Sequence, residues 1–456
     1  MTYLLWFLPT IVLALAVLSG RCPPTVAACL GLATAVPIAL GTAPVPFGFA
    51  PLAGALIRGA WIGATIAPYI LGGLLFWTLA SRPAGPSAEP GRDLPVDRRA
   101  QRRLLFFACF LVGPFAESAT GFGIGMLGTI VLLRPLRLAP SRLMVFALLS
   151  QTYIPWGAMG SGTMLAAAYA KMPASELALY SLPPVALLMV VWLALFWVTA
   201  RQAGLSGTVR EHLSEVCWIV ASLATLAVAT AFLGPEIALL SAFGPLIVVR
   251  HLMDTRPTAA RLRLAMGRVW PYLALVSVLT LTRAIAPLRA ALASFGTIAP
   301  YPDLPAWAPL LHAGSWLIGG AVLVALARGQ SHQLPQELRD AWKTARTPIV
   351  TVFLFAMLAE VLAAAGISKA IAAGTFEGLG TLGLLVAPLL SIGLGVLTNS
   401  GSAGNSLFMS SQVAMSAQAN LSVPHSAALQ HVAASSMGLF STVRMAIAAS
   451  LAAGQG

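Results

Sequence analysis

The sequence predicts an all-α polytopic membrane protein, and three observations carry that prediction. Only 9% of the 456 residues are charged while 58% are hydrophobic. Soluble domains carry roughly 25% charged residues, so a water-facing surface this poor in charge would precipitate. The apolar residues gather into runs that approach or exceed the roughly 17–25 residues needed to cross a bilayer. The basic residues, 27 against 14 acidic for a net charge of +13, cluster between those runs, as cytoplasmic loops retain Lys and Arg. Together these exclude a soluble enzyme, a nucleic-acid-binding protein and a disordered chain.

Taken in order, runs near 3–19, 24–41, 60–80, 143–170, 178–200, 217–233, 235–250, 269–287, 307–327, 348–366 and 425–450 predict about 11 transmembrane helices. The first run lacks a basic leader and a small-residue cleavage site, and Arg21 precedes Cys22 where a lipid anchor wants a small residue. It is therefore expected to stay as a first span. Cys22, Cys29, Cys109 and Cys217 form no CxxC pair and lie in or beside apolar stretches, so neither a disulfide framework nor a metal site is expected.

Arg dominates the segments 81–103 and 250–268, and basic residues also mark 328–347, which places all three in the cytoplasm. Segments 42–59 and 288–306, rich in Pro and poor in charge, go outside. Two apolar stretches, 104–133 and 381–419, are broken in the middle by Gly and small polar residues. The first is flanked on both sides by basic residues, with Arg134, Arg137 and Arg142 on its right. Both its ends are then cytoplasmic and it enters and returns as a re-entrant hairpin. Following the spans onward puts both ends of the second outside. The chain thus divides into halves 1–216 and 217–456 related by an inverted-topology repeat, with two oppositely inserted hairpins at matching places. Paired broken helices of this kind point to a transporter binding site near the midplane.

The first hairpin reads Gly113-Pro-Phe-Ala-Glu117-Ser-Ala-Thr-Gly121-Phe122-Gly123-Ile-Gly125. Its glycines let the backbone turn and approach a ligand. Glu117 is ionisable inside an apolar segment, which marks it as a candidate proton carrier; the competing reading is a carboxylate that fixes the hairpin by bonding backbone N–H groups. Glu360, in Met-Leu-Ala-Glu-Val-Leu, is the second proton candidate, against a structural pairing with an Arg of a neighbouring span. The second hairpin reads Thr398-Asn399-Ser400-Gly401-Ser402-Ala403-Gly404-Asn405-Ser406. Such a tip offers amides, hydroxyls and a helix N-terminus able to hold a carboxylate. Asn399, Ser400, Gly401, Ser402, Asn405 and Ser406 are therefore candidate substrate ligands. Arg283 and Arg444 are candidate cations for the substrate, against snorkelling and positive-inside placement. Arg58 reads as an interfacial anchor, and Trp156 as a candidate wall of the cavity. His312 and His431 stand apart from Cys and other His, so no metal is expected. The GFGIG string has no framing strand or acidic partner, and no Gly-rich string carries a Walker Lys. No cofactor is expected, and without a nucleophile, base or metal constellation the chain does not read as an enzyme.

These residues resemble the lactate permease family, whose Glu-Gly-Ala-Ala-Gly-Phe-Gly stretch is matched by Glu117, Gly121, Phe122 and Gly123. Ser118 and Thr120 depart from it. The family's Asn-Thr is similar to Gln151-Thr152 here, and its Gly-Ser-x-x-x-x-Asn-x-Leu-Phe stretch followed by Gln falls on Gly401, Ser402, Asn405, Leu407, Phe408 and Gln412. Its Gly-Lys-Met stretch falls near Gly438 to Ser441 without the Lys, so a cation at that place is either missing or supplied by Arg444. The resemblance is sharp over 113–160 and 398–412 and diffuse elsewhere, as in a divergent member or close relative. It implies proton symport of a small 2-hydroxy monocarboxylate such as lactate or glycolate across a bacterial cytoplasmic membrane. It also adds Gly121, Phe122, Gly123, Gln151, Thr152 and Gln412 to the expected substrate contacts. Transport of another small anion (a dicarboxylate or sulfonate), or export, stays open at this point. The expected partners are the substrate anion, protons and the lipid bilayer, with no nucleic acid; a homodimer is left open.

Overall fold

The computed structural model describes residues 2–82, 97–121, 123–255 and 257–454. Among these the chain is helical, and its only β pairing is the bridge between Ile298 and Trp307. The first helices are α1 (Thr2–Leu18), α2 (Pro24–Thr42), α3 (Phe49–Ser81) and α4 (Arg98–Phe107). A π-helical turn, Ala108–Val112, joins α4 to α5 (Gly113–Thr120), and α6 (Ile124–Leu133), α7 (Pro140–Leu149), α8 (Gly157–Ala170) and α9 (Ala174–Gln202) follow. Next come α10 (Val209–Leu233), α11 (Pro235–Thr255), α12 (Ala259–Ala284), α13 (Ala286–Ser294), α14 (Ala313–Ala327) and α15 (Leu334–Ala364). The chain closes with α16 (Ile367–Leu379), α17 (Val386–Thr398), α18 (Gly401–Gln418), α19 (Val423–Ser436) and α20 (Thr442–Ala452).

Among the described residues, eight helical segments are long and apolar enough to cross a membrane, and there are nine if α12 and α13, which meet at 91°, count as one. Exposed Leu, Val and Phe side chains along α9, α10 and α12 suit a lipid-facing surface. The protein is thus a multi-pass helical membrane protein. Two runs expected as single spans are each broken. Residues 143–170 divide into α7 and α8 around a tight turn at Ile154–Trp156. Pro155 supplies no N–H there, and the backbone is left-handed at Met159 (φ 55°) and Gly160 (φ 65°). Residues 425–450 divide into α19 and α20 around the turn Met437–Phe440. The expected boundary between halves at residue 216 also falls inside α10. That helix starts at Val209 because Thr208 and Glu211 form a reciprocal capping box, giving it a polar first turn before its apolar stretch.

Helices α3 and α15 form the central pair and run antiparallel. Arg58 meets Glu360 at one end and Arg82 meets Glu337 at the other. Between them, a Cβ added at Gly59 would lie 2.4 Å from the backbone of Met357, and one at Gly63 would meet Phe353 at 2.6 Å. Small residues at such crossings let helix backbones approach closely. The element that follows each of these helices therefore starts from opposite ends of the molecule.

In both places the chain then doubles back. In the first, Thr129 donates to the Ala108 carbonyl at 3.3 Å, a Cβ on Gly125 would lie 2.5 Å from the Gly113 carbonyl oxygen, and Gly123 N–H reaches Glu117. Those pairings converge on Gly121 and Gly123. In the second, Gln412 donates to the Leu384 carbonyl at 3.1 Å and Ser391 to the Gly404 carbonyl at 3.3 Å, converging on Asn399 and Ser400.

The polar ends sort as the charge pattern requires. At one end, Arg82 pairs with Glu337, Arg103 with Asp254 (3.6 Å) and Arg99 with Glu211 (3.9 Å). Arg328 caps the C-terminus of α3 there by donating to the Leu79 and Arg82 carbonyls, both at 2.8 Å. At the other end, Asp303 receives Arg58 at 2.7 Å and Lys171 at 3.7 Å, and Trp61 donates to the Pro305 carbonyl. The Arg58 hydrogen bond holds the Asp303 carboxyl below its usual range. Arg102 is buried, with both nitrogens of its fork on Glu215 at 2.8 and 2.9 Å and Trp197 donating to the same carboxylate.

Candidate functional site

The two turns and the two helix breaks meet around one cavity of about 280 Å³. Glu117 and Gly121 reach it from the first turn, and Thr398 to Ser402 from the second. Ile154, Gly157, Ser161 and Gly162 reach it from the first break, and Ser435 and Arg444 from either side of the second. The remaining wall is α15, through Thr347, Pro348, Thr351, Val352 and Phe355, together with Pro24 of α2 and Ile70 of α3. Cavities for drug-sized ligands run roughly 300–1,000 Å³, so this one, just below that range, has room for a small organic solute.

The two turns offer different chemistry. Gly121 (φ 68°) and Gly123 (φ 83°) adopt left-handed backbone that a side chain would strain. This brings the N-terminus of α6 back over Glu117, whose Oε1 accepts from Gly123 N–H at 3.3 Å and Oε2 from Gly125 N–H at 3.0 Å. A helix N-terminus attracts an anion, and here the anion is the chain's own carboxylate. In the second turn Asn399 is left-handed (φ 57°) and Ser400 caps α18 by accepting from Ser402 N–H at 3.2 Å. The rest of that first turn has no partner within its helix, and Gly401 and Ser402 open on the cavity.

Arg444 completes the site. Ser441 caps α20 by accepting from Arg444 N–H at 3.1 Å, and its own hydroxyl donates to Asn399 Oδ1 at 2.7 Å. One polar network thus ties the second turn to the second break. Arg444 Nη1 is buried and has no hydrogen-bond partner among the described residues. Among the described residues lining the cavity, Arg444 is the one cation and Glu117 the one carboxylate, near enough for their charges to interact.

Of the residues singled out in the sequence, Glu117, Gly121, Asn399, Ser400, Gly401, Ser402 and Arg444 line this cavity, and Gly123 stands behind it as a donor to Glu117. Phe122 lies outside the described residues. Gln151 and Thr152 are buried in the first break but do not line the cavity; Gln151 donates to Ser150 at 3.3 Å. Asn405 and Ser406 lie one helical turn behind the tip, fully buried. Gln412 bonds the Leu384 carbonyl and Ser426 at the far end of the hairpin.

Three expectations give way to ion pairs and packing. Glu360 accepts from Arg58 Nε at 2.9 Å, away from the cavity, so the structural pairing weighed against its proton role is the one observed, and Arg58 is its partner rather than a lone anchor. Arg283 donates to Glu236 at 2.7 Å and belongs to a different cavity. Trp156 is fully buried, with its indole donating to Thr230 at 3.0 Å.

Sequence reasoning missed the α15 wall; it placed His431 beside the second hairpin with a possible hydrogen-bonding role, but not the partners of the buried relay it forms. Thr351 shares a 2.6 Å hydrogen bond with Thr25 and donates to the Thr347 carbonyl at 2.8 Å; the signal was two Thr four apart beside a Pro inside an apolar span. His431 Nδ1 lies 3.1 Å from Asn405 Nδ2, and His431 Nε2 lies 2.9 Å from Thr163, whose hydroxyl donates to the Pro155 carbonyl. Thr163 has one proton and spends it on Pro155, so His431 Nε2–H donates to Thr163 and Nδ1 accepts from Asn405. The relay links the second hairpin to the carbonyl exposed by the first break. No protein-family model matches the chain, and no curated protein sequence matches it.

Proposed function

We propose that this protein is a secondary transporter, not an enzyme, that moves a small monocarboxylate of the lactate or glycolate kind across a bacterial cytoplasmic membrane by proton symport. The observation that carries the reading is Arg444, which lines a small cavity where two turns and two helix breaks converge and whose buried Nη1 has no hydrogen-bond partner among the described residues. A carboxylate there would accept from Arg444 and from the first-turn N–H groups of α18. Ser402, Ser435 and Thr398 stand ready for a 2-hydroxyl. One cation set against one carboxylate favours a monovalent anion over a dicarboxylate, which would bring a second uncompensated charge into a poorly solvated site.

In this reading the end bearing Arg82, Arg103 and Arg328 faces the cytoplasm. The helices α5–α6 and α17–α18 are re-entrant hairpins inserted from opposite faces. The antiparallel course of α3 and α15 supports an inverted repeat, each half holding one long helix, one hairpin and one broken helix. The two broken helices, α1 and α14 would then cross with the longer helices to give about 11 spans. The resemblance to lactate permeases supports the same substrate class.

Uptake by proteoliposomes tests the proposal. Labelled lactate or glycolate should accumulate when an inward proton gradient is imposed, and unlabelled succinate or sulfonates should compete weakly. Uptake of dicarboxylates or sulfonates with none of lactate or glycolate would overturn the substrate assignment.

A further inference from the structure

A second cavity, of about 300 Å³, lies at the end of the molecule opposite the basic segments. Glu236 at the start of α11, Arg283 at the end of α12, Arg289 on α13 and His312 at the start of α14 converge on it. We propose that it is a second binding site, for a small hydroxycarboxylate, which holds the ligand before it reaches the central cavity. The binding claim stands on this cavity's own residues; only the order of events rests on the transport reading.

His312 decides the ligand chemistry. Its Nε2 lies 2.9 Å from the Thr65 carbonyl oxygen. A carbonyl can only accept, so Nε2 carries the proton and the neutral ring presents Nδ1 as an acceptor. Nδ1 is buried and has no partner among the described residues, although the residue is only 8% exposed and its ring is pinned against Tyr69 at 4.2 Å. An acceptor left bare in a rigid, buried ring calls for a donor.

The charges decide the rest. Arg283 is committed to Glu236 at 2.7 Å and to the Leu311 carbonyl. Arg289 makes no side-chain hydrogen bond or ion pair with the described residues and lines the same cavity, which leaves a net positive charge there. A ligand that matches both features has a carboxylate for Arg289 and a hydroxyl to donate to His312 Nδ1. A simple carboxylate satisfies one feature and a neutral alcohol the other; a 2-hydroxy acid satisfies both.

The position is suited to an antechamber. A Cβ placed on Gly160, at the left-handed start of α8 beside the residues that wall the central cavity, would lie 3.0 Å from the Pro235 carbonyl oxygen and 3.2 Å from Glu236 N. Glu236 lines the outer cavity, and Gly157, Ser161 and Gly162 line the inner one. The start of α8, which walls the inner cavity, thus packs directly on the start of α11, which walls the outer one.

The test uses the full chain, purified in detergent, with the four native cysteines (Cys22, Cys29, Cys109 and Cys217) replaced and a single thiol introduced by Ala306→Cys, an exposed position on the outer cavity. The rate of thiol modification is read against glycolate and against acetate. At a glycolate concentration about ten times its dissociation constant the rate should fall about tenfold, and acetate at the same concentration should protect less. Protection should survive Arg444→Gln, which cripples the central site, and vanish in Arg289→Gln, with Arg289→Lys restoring it. His312→Phe should erase the preference for glycolate over acetate. The proposal is overturned if glycolate gives no protection, if acetate protects equally, if Arg289→Gln leaves protection intact, or if Arg444→Gln abolishes it. Failure of the transport reading has a separate signature: no uptake in proteoliposomes with protection at position 306 unchanged.

Discussion

Replacing Glu117 by Gln is the most informative single perturbation, because it probes coupling and hairpin structure together. The carboxylate uses one oxygen for Gly123 N–H at 3.3 Å and the other for Gly125 N–H at 3.0 Å. A Gln amide has one acceptor oxygen, so it can meet one of these donors while its NH₂ group confronts the other. Leaving one buried N–H unpaired costs about 1–3 kcal/mol, and the surviving bond loses its charge assistance, worth about 1 kcal/mol more. The variant should therefore lose roughly 2–4 kcal/mol of hairpin stability. In the symport reading a proton on Glu117 would likewise turn one carboxyl oxygen into a donor facing an amide N–H, so protonation would loosen the turn. Thermal unfolding of the purified variant should show the destabilisation. In proteoliposomes, exchange of labelled for unlabelled substrate should persist at reduced rate, while accumulation driven by an imposed pH gradient should be lost. If the variant still accumulates substrate on a pH gradient, Glu117 is not the proton carrier; if it unfolds at the wild-type temperature, the two amide bonds do not stake the turn.

Asn405→Ala should hurt folding more than affinity: it removes the donor to His431 Nδ1 in a fully buried relay, at about 1–3 kcal/mol, while the KM for substrate should change little because Asn405 does not line the cavity. A large rise in KM with unchanged thermal stability would place Asn405 in the binding site after all. Arg102→Met leaves Glu215 charged, buried and without its fork partner, which typically costs about 3–5 kcal/mol, so the yield of monodisperse protein in size-exclusion chromatography should fall sharply. The double replacement Arg102→Met with Glu215→Leu should recover most of that yield; no recovery would mean that the Trp197 and Leu205 contacts, rather than the charge pair, hold this corner.

How much was legible follows from what each feature leaves in a linear sequence. Charge-poor runs and their basic flanks announce helices in lipid, and both turns were legible because Gly121-Phe-Gly and Asn399-Ser-Gly interrupt apolar runs with residues suited to tight backbone. The breaks near Pro155 and Met437 carried the same signal, small polar and Gly residues from Ser150 to Gly162 and from Ser435 to Ser441, but enough apolar residues surround them that a span-length hydropathy average reads straight through. Helix α16 was hidden for the same reason, following α15 after only a two-residue turn at Gly366, where φ is 73°. Ion-pair partners were illegible on principle: Arg58 and Glu360 are 302 positions apart, and nothing local to Glu360 says that it is already committed. The same holds for Arg283 and Glu236, whereas Arg444 gave no local sign that it lacks a partner.

The two hairpins share a plan but divide the work, and that asymmetry suggests how coupling could arise from charge balance alone. In the first, the helix N-terminus is occupied by Glu117, so its amides are spent within the chain. In the second, the N-terminus of α18 carries only a Ser cap, and the last helix brings Arg444 beside it. With Glu117 ionised, the cavity holds one positive and one negative side chain, and an arriving carboxylate would add an uncompensated charge to a poorly solvated space. With Glu117 protonated, Arg444 is left without its counter-charge and the carboxylate restores neutrality. The anion and the proton then each make the other's presence less costly, which is a coupling free energy that must be reciprocal. If proton symport holds, charge balance would set the stoichiometry at one proton per monovalent anion, so transport should be insensitive to an imposed membrane potential at constant pH difference. A potassium diffusion potential set with valinomycin measures this directly, and a strong dependence of uptake on that potential would show that a further charge moves with the substrate and that Glu117 and Arg444 do not suffice.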